Sequence, residues 1–254
     1  MTTCYFTASG NSLYVAQRIG SKLLSIPQLM RQEKIEIVDD AVGIVCPVYA
    51  VELPMMVLDF TKRANIRTDY FFFIMTCGYG FDISLGHAEV AARARGWDLK
   101  YASGVKMVDN YLPMFDMQEE SEKVLLKDVE GQIDRICADI SERNELRMAL
   151  TDEICKQMKW YHENHAPKIM KKDTALGYIV NDSCIRCGIC AKVCPADNIV
   201  VTKESGVVFS DHCEVCYACA HNCPKNAIHL PNERNALRFR NEHIDLKDII
   251  AANE

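Results

Sequence analysis

Residues 184–195 read CIRCGICAKVCP, and residues 213–224 read CEVCYACAHNCP. Both follow C-x2-C-x2-C-x3-C-P. Cys184, Cys187, Cys190 and Cys194 recur 29 residues later as Cys213, Cys216, Cys219 and Cys223, and Pro195 and Pro224 follow the last cysteine of each half. Three cysteines at i, i+3 and i+6 on a tight turn can offer three soft thiolates to one centre. Paired C-x2-C steps also build zinc knuckles. Zinc, however, needs neither the third step, nor the C-P, nor an internal repeat.

The chain has 254 residues and thirteen cysteines, far too many for an ordinary cytosolic protein. A secreted disulfide scaffold would be shorter and would carry a signal peptide. The first ten residues, MTTCYFTASG, lack a basic region and a long apolar run, so no secretory signal is expected. Metal is the remaining explanation. The doubled motif is the signature of bacterial two-cluster ferredoxins, and residues from about 178 to 230 resemble a clostridial-type 2[4Fe-4S] ferredoxin. The resemblance implies that Cys184, Cys187, Cys190 and Cys223 hold one cubane, and Cys213, Cys216, Cys219 and Cys194 the other. The three-residue gap before Cys194 and Cys223 points the same way, because it carries each beyond its own turn. Ile185, Ile189, Ile199, Val215, Ala218 and Ile228 would keep water from the cubanes, and low potentials are expected.

Upstream the pattern is strand, turn and helix, repeated. Thr3–Phe6, Lys34–Val38, Val42–Val48, Tyr70–Thr76 and Leu99–Val108 read as strands. Asn11–Leu24, 53–64 and 84–95 are helix-length. Such alternation predicts an α/β fold with a parallel sheet covered on both faces. Leu125, Val129, Ile133, Ile136 and Ile140 mark one apolar face of a helix over about 119–147. The boundaries expected are 1–150 for this domain, 151–177 for a helical connector carrying His162 and His165 as packed residues, and 178–231 for the ferredoxin domain. Residues 232–254 form a tail, with a short strand and a helix docking back on the body.

After the first strand, Thr7-Ala8-Ser9-Gly10-Asn11-Ser12 offers hydroxyls, free N–H groups and a helix N-terminus to a phosphate. It has no lysine and matches neither G-x4-G-K-[ST] nor G-x-G-x-x-G. The loop resembles the T-x-T-G-N-T phosphate loop of flavodoxins, with Ser9 and Ser12 in place of two threonines. That resemblance implies FMN, a doubly wound five-stranded sheet of order 2-1-3-4-5, and a ligand beyond the strand C-termini. The loops Pro47-Val48-Tyr49-Ala50 and Thr76-Cys77-Gly78-Tyr79-Gly80 would then flank the flavin ring. Tyr49 and Tyr79 are candidates for stacking and Cys77 for modulating the ring. No glycine in 48–52 matches the one that flavodoxins commonly use to turn a peptide toward the flavin. Cys4 and Cys46 read as small buried hydrophobes and Cys137 as part of a helix's buried face.

The whole chain thus resembles the flavodoxin–ferredoxin fusion proteins of anaerobic bacteria and archaea. The resemblance implies a cytoplasmic electron carrier that links two low-potential clusters to FMN and exchanges electrons with redox proteins such as ferredoxin-linked oxidoreductases. A homodimer is left open. The alternative is an FMN-dependent reductase of a small substrate fed by the clusters. No catalytic residue is assigned, although Tyr49, Glu52, Tyr79 and Asp82 lie in the right loops. The net charge of −6, without any basic tract, gives no nucleic-acid footprint and favours partners with basic patches. No run of about 18 uncharged apolar residues occurs, so no membrane span is expected.

Overall fold

The computed structural model describes residues 1–20 and 22–254. Five parallel strands form the main sheet: β1 (Thr2–Tyr5), β2 (Lys22–Ser25), β4 (Ala41–Pro47), β6 (Tyr70–Cys77) and β7 (Leu99–Lys106). Their order is β2-β1-β4-β6-β7. Nearly every residue of β4 and β6 is buried, as expected for central strands of a parallel sheet covered on both faces. Gly43 on β4 lies opposite Phe72 on β6, and a Cβ at Gly43 would come within 1.9 Å of the Phe72 ring. The glycine therefore makes room for an aromatic side chain in the middle of the sheet.

The first crossover helix is shorter than the apolar pattern suggests. α1 covers Asn11–Ile19 and ends at Gly20, whose left-handed backbone (φ 67°) caps it. Leu23 and Leu24, which extend the helical periodicity, belong instead to edge strand β2; Ser21, inside that reading, lies outside the described residues. The segment expected to be the second strand contributes β3 (Glu36–Val38). It pairs in parallel with β5 (Asn65–Arg67) in a separate two-stranded sheet. Between these strands run α2 (Ile26–Met30), α3 (Met55–Arg63) and α4 (Asp82–Arg95).

The long helix expected over 119–147 is broken. α5 (Met117–Lys123) passes through a 3-10 turn, and α6 (Val129–Ser141) restarts after Asp128, which is left-handed at φ 45°. Ile133, Ile136 and Ile140 are buried as their spacing predicts, whereas Leu125 is exposed in the turn between the helices. The connector forms α7 (Asp152–Asn164) and α8 (Ala166–Ile169). α7 lies close against α4, where a Cβ at Gly86 would come within 2.5 Å of the Met158 sulfur.

Beyond the connector the sequence repeat becomes a structural one. β8 (Ile179–Val180), α9 (Ile189–Lys192) and β9 (Ile199–Thr202) are followed by β10 (Gly206–Phe209), α10 (Ala218–His221) and β11 (Ile228–His229). Ile199 pairs with Phe209 and Ile228 with Val180, so the two antiparallel ladders map onto each other through the 29-residue offset. The tail contains helix α11 (Leu246–Asn253) but no strand among the described residues. Its Ile244, Ile249 and Ala252 join the core of the large sheet. Gln28 Nε2 donates to the Ala251 carbonyl at 2.7 Å, and Arg31 Nη2 to that of Asn253 at 2.7 Å. Among the described residues no helix is long and apolar enough to cross a membrane.

Candidate functional site

β1 is flanked by β2 and β4, so the chain leaves β1 in one direction and β4 in the other. In such a sheet a crevice opens beyond the strand C-termini at that point. There a cleft is lined by the loops after β1, β4, β6 and β7. All the phosphate-loop and ring-loop candidates line it except Gly10. Gly10 instead shapes the turn. Its φ is 104°, and a Cβ there would meet Asn241 and Ile244 at 3.0 Å. Asn241 N–H donates to the Ser9 carbonyl at 2.8 Å, so the tail supports the loop from behind.

The hydroxyls of the loop are not equivalent. Ser12 Oγ shares a hydrogen bond with Thr76 Oγ1 at 2.8 Å, and Ser9 Oγ accepts from Asn110 Nδ2. Asn11 is structural, donating to the Val108 carbonyl at 3.2 Å and accepting from Asn241 at 3.1 Å. Thr7 Oγ1 is buried and has no hydrogen-bond partner. The first N–H groups of α1 likewise lack intrahelical acceptors. No lysine or arginine is among the described residues that line the cleft. An uncompensated hydroxyl beside a helix N-terminus in a site without cations suits an anion bound by hydrogen bonds and dipoles rather than by charge pairing. These residues suit a phosphate group.

The loop after β4 closes on itself. Tyr49 and Glu52 exchange backbone hydrogen bonds of 3.0 and 2.8 Å, with Ala50 at φ 51° and Val51 at φ 70° between them. A β-branched residue in the left-handed region is strained by about 1–3 kcal/mol. Ser84 Oγ holds the Val51 carbonyl at 2.9 Å. The Glu52 carboxylate lies between His87 Nδ1 at 3.4 Å and His162 Nδ1 at 3.2 Å. His162 thus ties the connector helix to the cleft loop, and His165 reaches the cleft wall itself. Tyr49 packs edge-on against Phe6 with ring centroids 6.3 Å apart, and burial pushes its phenol well up. Tyr79 is 82% exposed at the mouth. Burial raises the Cys77 thiol to about 12, which keeps it protonated.

The cysteines gather in two crossed groups. One small cavity is lined by Cys184, Cys187, Cys190 and Cys223, the other by Cys194, Cys213, Cys216 and Cys219. Each thus combines three cysteines of one motif with the last of the other. Left-handed residues at Arg186, Gly188 and Asp197 (φ 54°, 79°, 52°) are matched at Val215, Tyr217 and Asn226 (54°, 59°, 47°). These turns aim N–H groups at sulfur: Asn198 N donates to Cys194 Sγ at 3.3 Å and Ala227 N to Cys223 Sγ at 3.2 Å. Among the described residues no three His, Cys, Asp or Glu side chains converge on one metal ion. Each cavity has four cysteines among its lining residues.

The two kinds of site adjoin. Val215 and Tyr217, on either side of Cys216, line the cleft. Asn222 Nδ2 donates to the Ala8 carbonyl of the phosphate loop at 3.1 Å. His221 Nε2 donates to the Asn110 carbonyl at 2.9 Å, while its Nδ1 accepts from Phe239 N–H at 3.1 Å. Burial draws this imidazole down to about 4, so it is neutral. Val108 to Tyr111, Met114, Phe115, Ile169 and Met170 complete the cleft. None of these belongs to a motif, although the position of 108–111 directly after the fifth sheet strand could have flagged them.

Residues 176–224 match the family model of the 4Fe-4S dicluster domain. No curated protein matches the chain. The C-terminal part therefore contains a ferredoxin-type 4Fe-4S dicluster domain, which suits iron–sulfur electron transfer.

Burial pushes the Asp109 carboxyl in the cleft wall up from its ordinary 3.8 to about 6. Between those values the folded chain retains a proton that the unfolded chain has released. This group therefore lowers stability as pH rises through the window. Asp109→Asn should be more stable than the parent toward urea at neutral pH by about 1–3 kcal/mol, with the gain vanishing near the ordinary carboxylate value. An equal gain at both ends would contradict the burial account.

Proposed function

We propose that the chain is an electron-transfer protein that links two [4Fe-4S] clusters to FMN, in the manner of flavodoxin–ferredoxin fusions. Residues 1–150 form the flavodoxin-like domain, 151–177 the connector, 178–231 the ferredoxin domain and 232–254 the docked tail. With β3 and β5 set aside, the main sheet runs 2-1-3-4-5 in chain order, which supports the flavodoxin-like reading. The observation that carries the proposal is the presence of Val215 and Tyr217, flanking Cys216, in the cleft wall. FMN exchanges two electrons in one-electron steps, and each cubane exchanges one.

The chain's own residues account for the rest. Thr7, Ala8, Ser9 and the N–H groups of Asn11 and Ser12 hold the phosphate, with Gly10 shaping the turn between them. Pro47, Val48, Tyr49 and Ala50 face Thr76, Cys77, Gly78, Tyr79 and Gly80 across the space for the ring. Cys184, Cys187, Cys190 and Cys223 ligate the first cluster, and Cys194, Cys213, Cys216 and Cys219 the second. Cys187 and Ile185 are exposed whereas Cys194, Cys216 and Cys219 are buried. The first cluster is therefore the one that meets a partner redox protein, and the second is the one beside the cleft. The setting is cytoplasmic and anaerobic. Asp109 favours a second reading, a reductase, because a buried carboxyl near neutrality can deliver a proton to a small substrate in the cleft.

Anaerobically prepared protein should contain about eight iron and about eight sulfide per chain. Cys194→Ala should damage chiefly the cluster held by Cys213, Cys216 and Cys219, and Cys223→Ala chiefly the other, as followed by EPR. Two zinc ions without sulfide would end the cluster reading, and loss of the home cluster in each variant would end the crossed assignment.

Flavin released on denaturation should be FMN. Thr7→Ala should weaken its binding by about 1.5–3 kcal/mol, the range for a hydrogen bond to a charged group, in equilibrium dialysis. Unchanged affinity would place the phosphate elsewhere.

A further inference from the structure

In the first cysteine turn the residue after the second ligand is Gly188; in the second turn it is Tyr217. Both adopt left-handed backbone, φ 79° and 59°. Glycine enters that region freely, whereas a bulky residue does so under strain. A Cβ on Gly188 would meet nothing within 4 Å. The Tyr217 side chain is instead only 6% exposed, with its ring 5.7 Å from Tyr111 and 6.4 Å from Tyr178. Among the described residues, Tyr217 alone lines both the cleft and the cavity of Cys194, Cys213, Cys216 and Cys219.

We propose that Tyr217 is a positioning residue that forms the partition between the two sites, its ring sealing the second cysteine cavity from the water of the cleft. The strained backbone is kept because glycine at this place would leave a channel from the cleft to the sulfurs. Exclusion of water helps set a cluster's potential, so a dry wall one side chain thick keeps the centre insulated yet close to what the cleft binds. The inference rests on the cluster reading of the cysteines, and iron and sulfide analysis of the parent protein tests that reading separately.

The test uses cluster-loaded protein freed of flavin and challenged anaerobically with EDTA, with bleaching followed by absorbance. EPR of partly bleached samples assigns the loss to one cluster or the other. Tyr217→Gly should lose its second cluster several-fold faster than the parent, with the first cluster unchanged as an internal control. Tyr217→Phe, which keeps the ring, should match the parent, and added FMN should slow the Gly variant again by filling the cleft. Where Tyr217→Gly fails to assemble both clusters, Tyr217→Leu is read in the same way. Equal loss from parent and variant, or faster loss from both clusters together, would overturn the partition.

Discussion

Each cysteine turn has to bring three side chains around one cavity, and it does so here with left-handed residues between the ligands. Gly188 enters that conformation freely, but Arg186, Val215 and Tyr217 do so under strain. A folded chain can carry such strain where surrounding structure over-determines it. Here the ladders of β8 with β11 and of β9 with β10 fix the ends of both turns. Because each cavity takes its last cysteine from the other motif, neither half is complete alone. The repeat in the sequence is therefore a requirement for two mutually dependent halves.

The crossed halves set the geometry of the larger unit. One quartet is left near the surface, while the other is buried against the C-terminal edge of the parallel sheet. Asn222 and His221 at the end of α10 then bond to the phosphate loop and to Asn110. The tail closes the arrangement from behind through Asn241 and Ile244. Loop, second motif and tail are in direct contact, so perturbing one is felt in the cleft.

Much of this was legible in the residues, for identifiable reasons. The cysteine spacing is dictated by ligand chemistry and survives any packing detail, so the 4Fe-4S dicluster domain of residues 176–224 was legible from it. The strand–helix alternation and the loop Thr7–Ser12 placed the cleft. The second sheet strand was misread because Leu23 and Leu24 continue the helical period past Gly20, whose left-handed cap ends α1. The break near Asp128 was hidden for the same reason: Leu125 keeps the spacing of a buried face while lying in solvent. The separate roles of Ser9, Asn11 and Ser12 were not legible because their partners Asn110, Val108, Asn241 and Thr76 are far away in sequence. The unpaired hydroxyl proved to be that of Thr7. Tyr217 was passed over because its significance lies in a wall shared by two cavities, which no local pattern records.

With FMN in the cleft as proposed, the second cluster and the flavin would belong to one closely packed unit. Rapid anaerobic reduction of the clusters, followed at flavin and cluster wavelengths over a wide range of protein concentration, tests it most directly. Electron equilibration between them should be first order and independent of concentration, because the fused arrangement replaces an encounter with a fixed contact. A rate that scales with protein concentration would mean that electrons pass between separate molecules and would contradict the account.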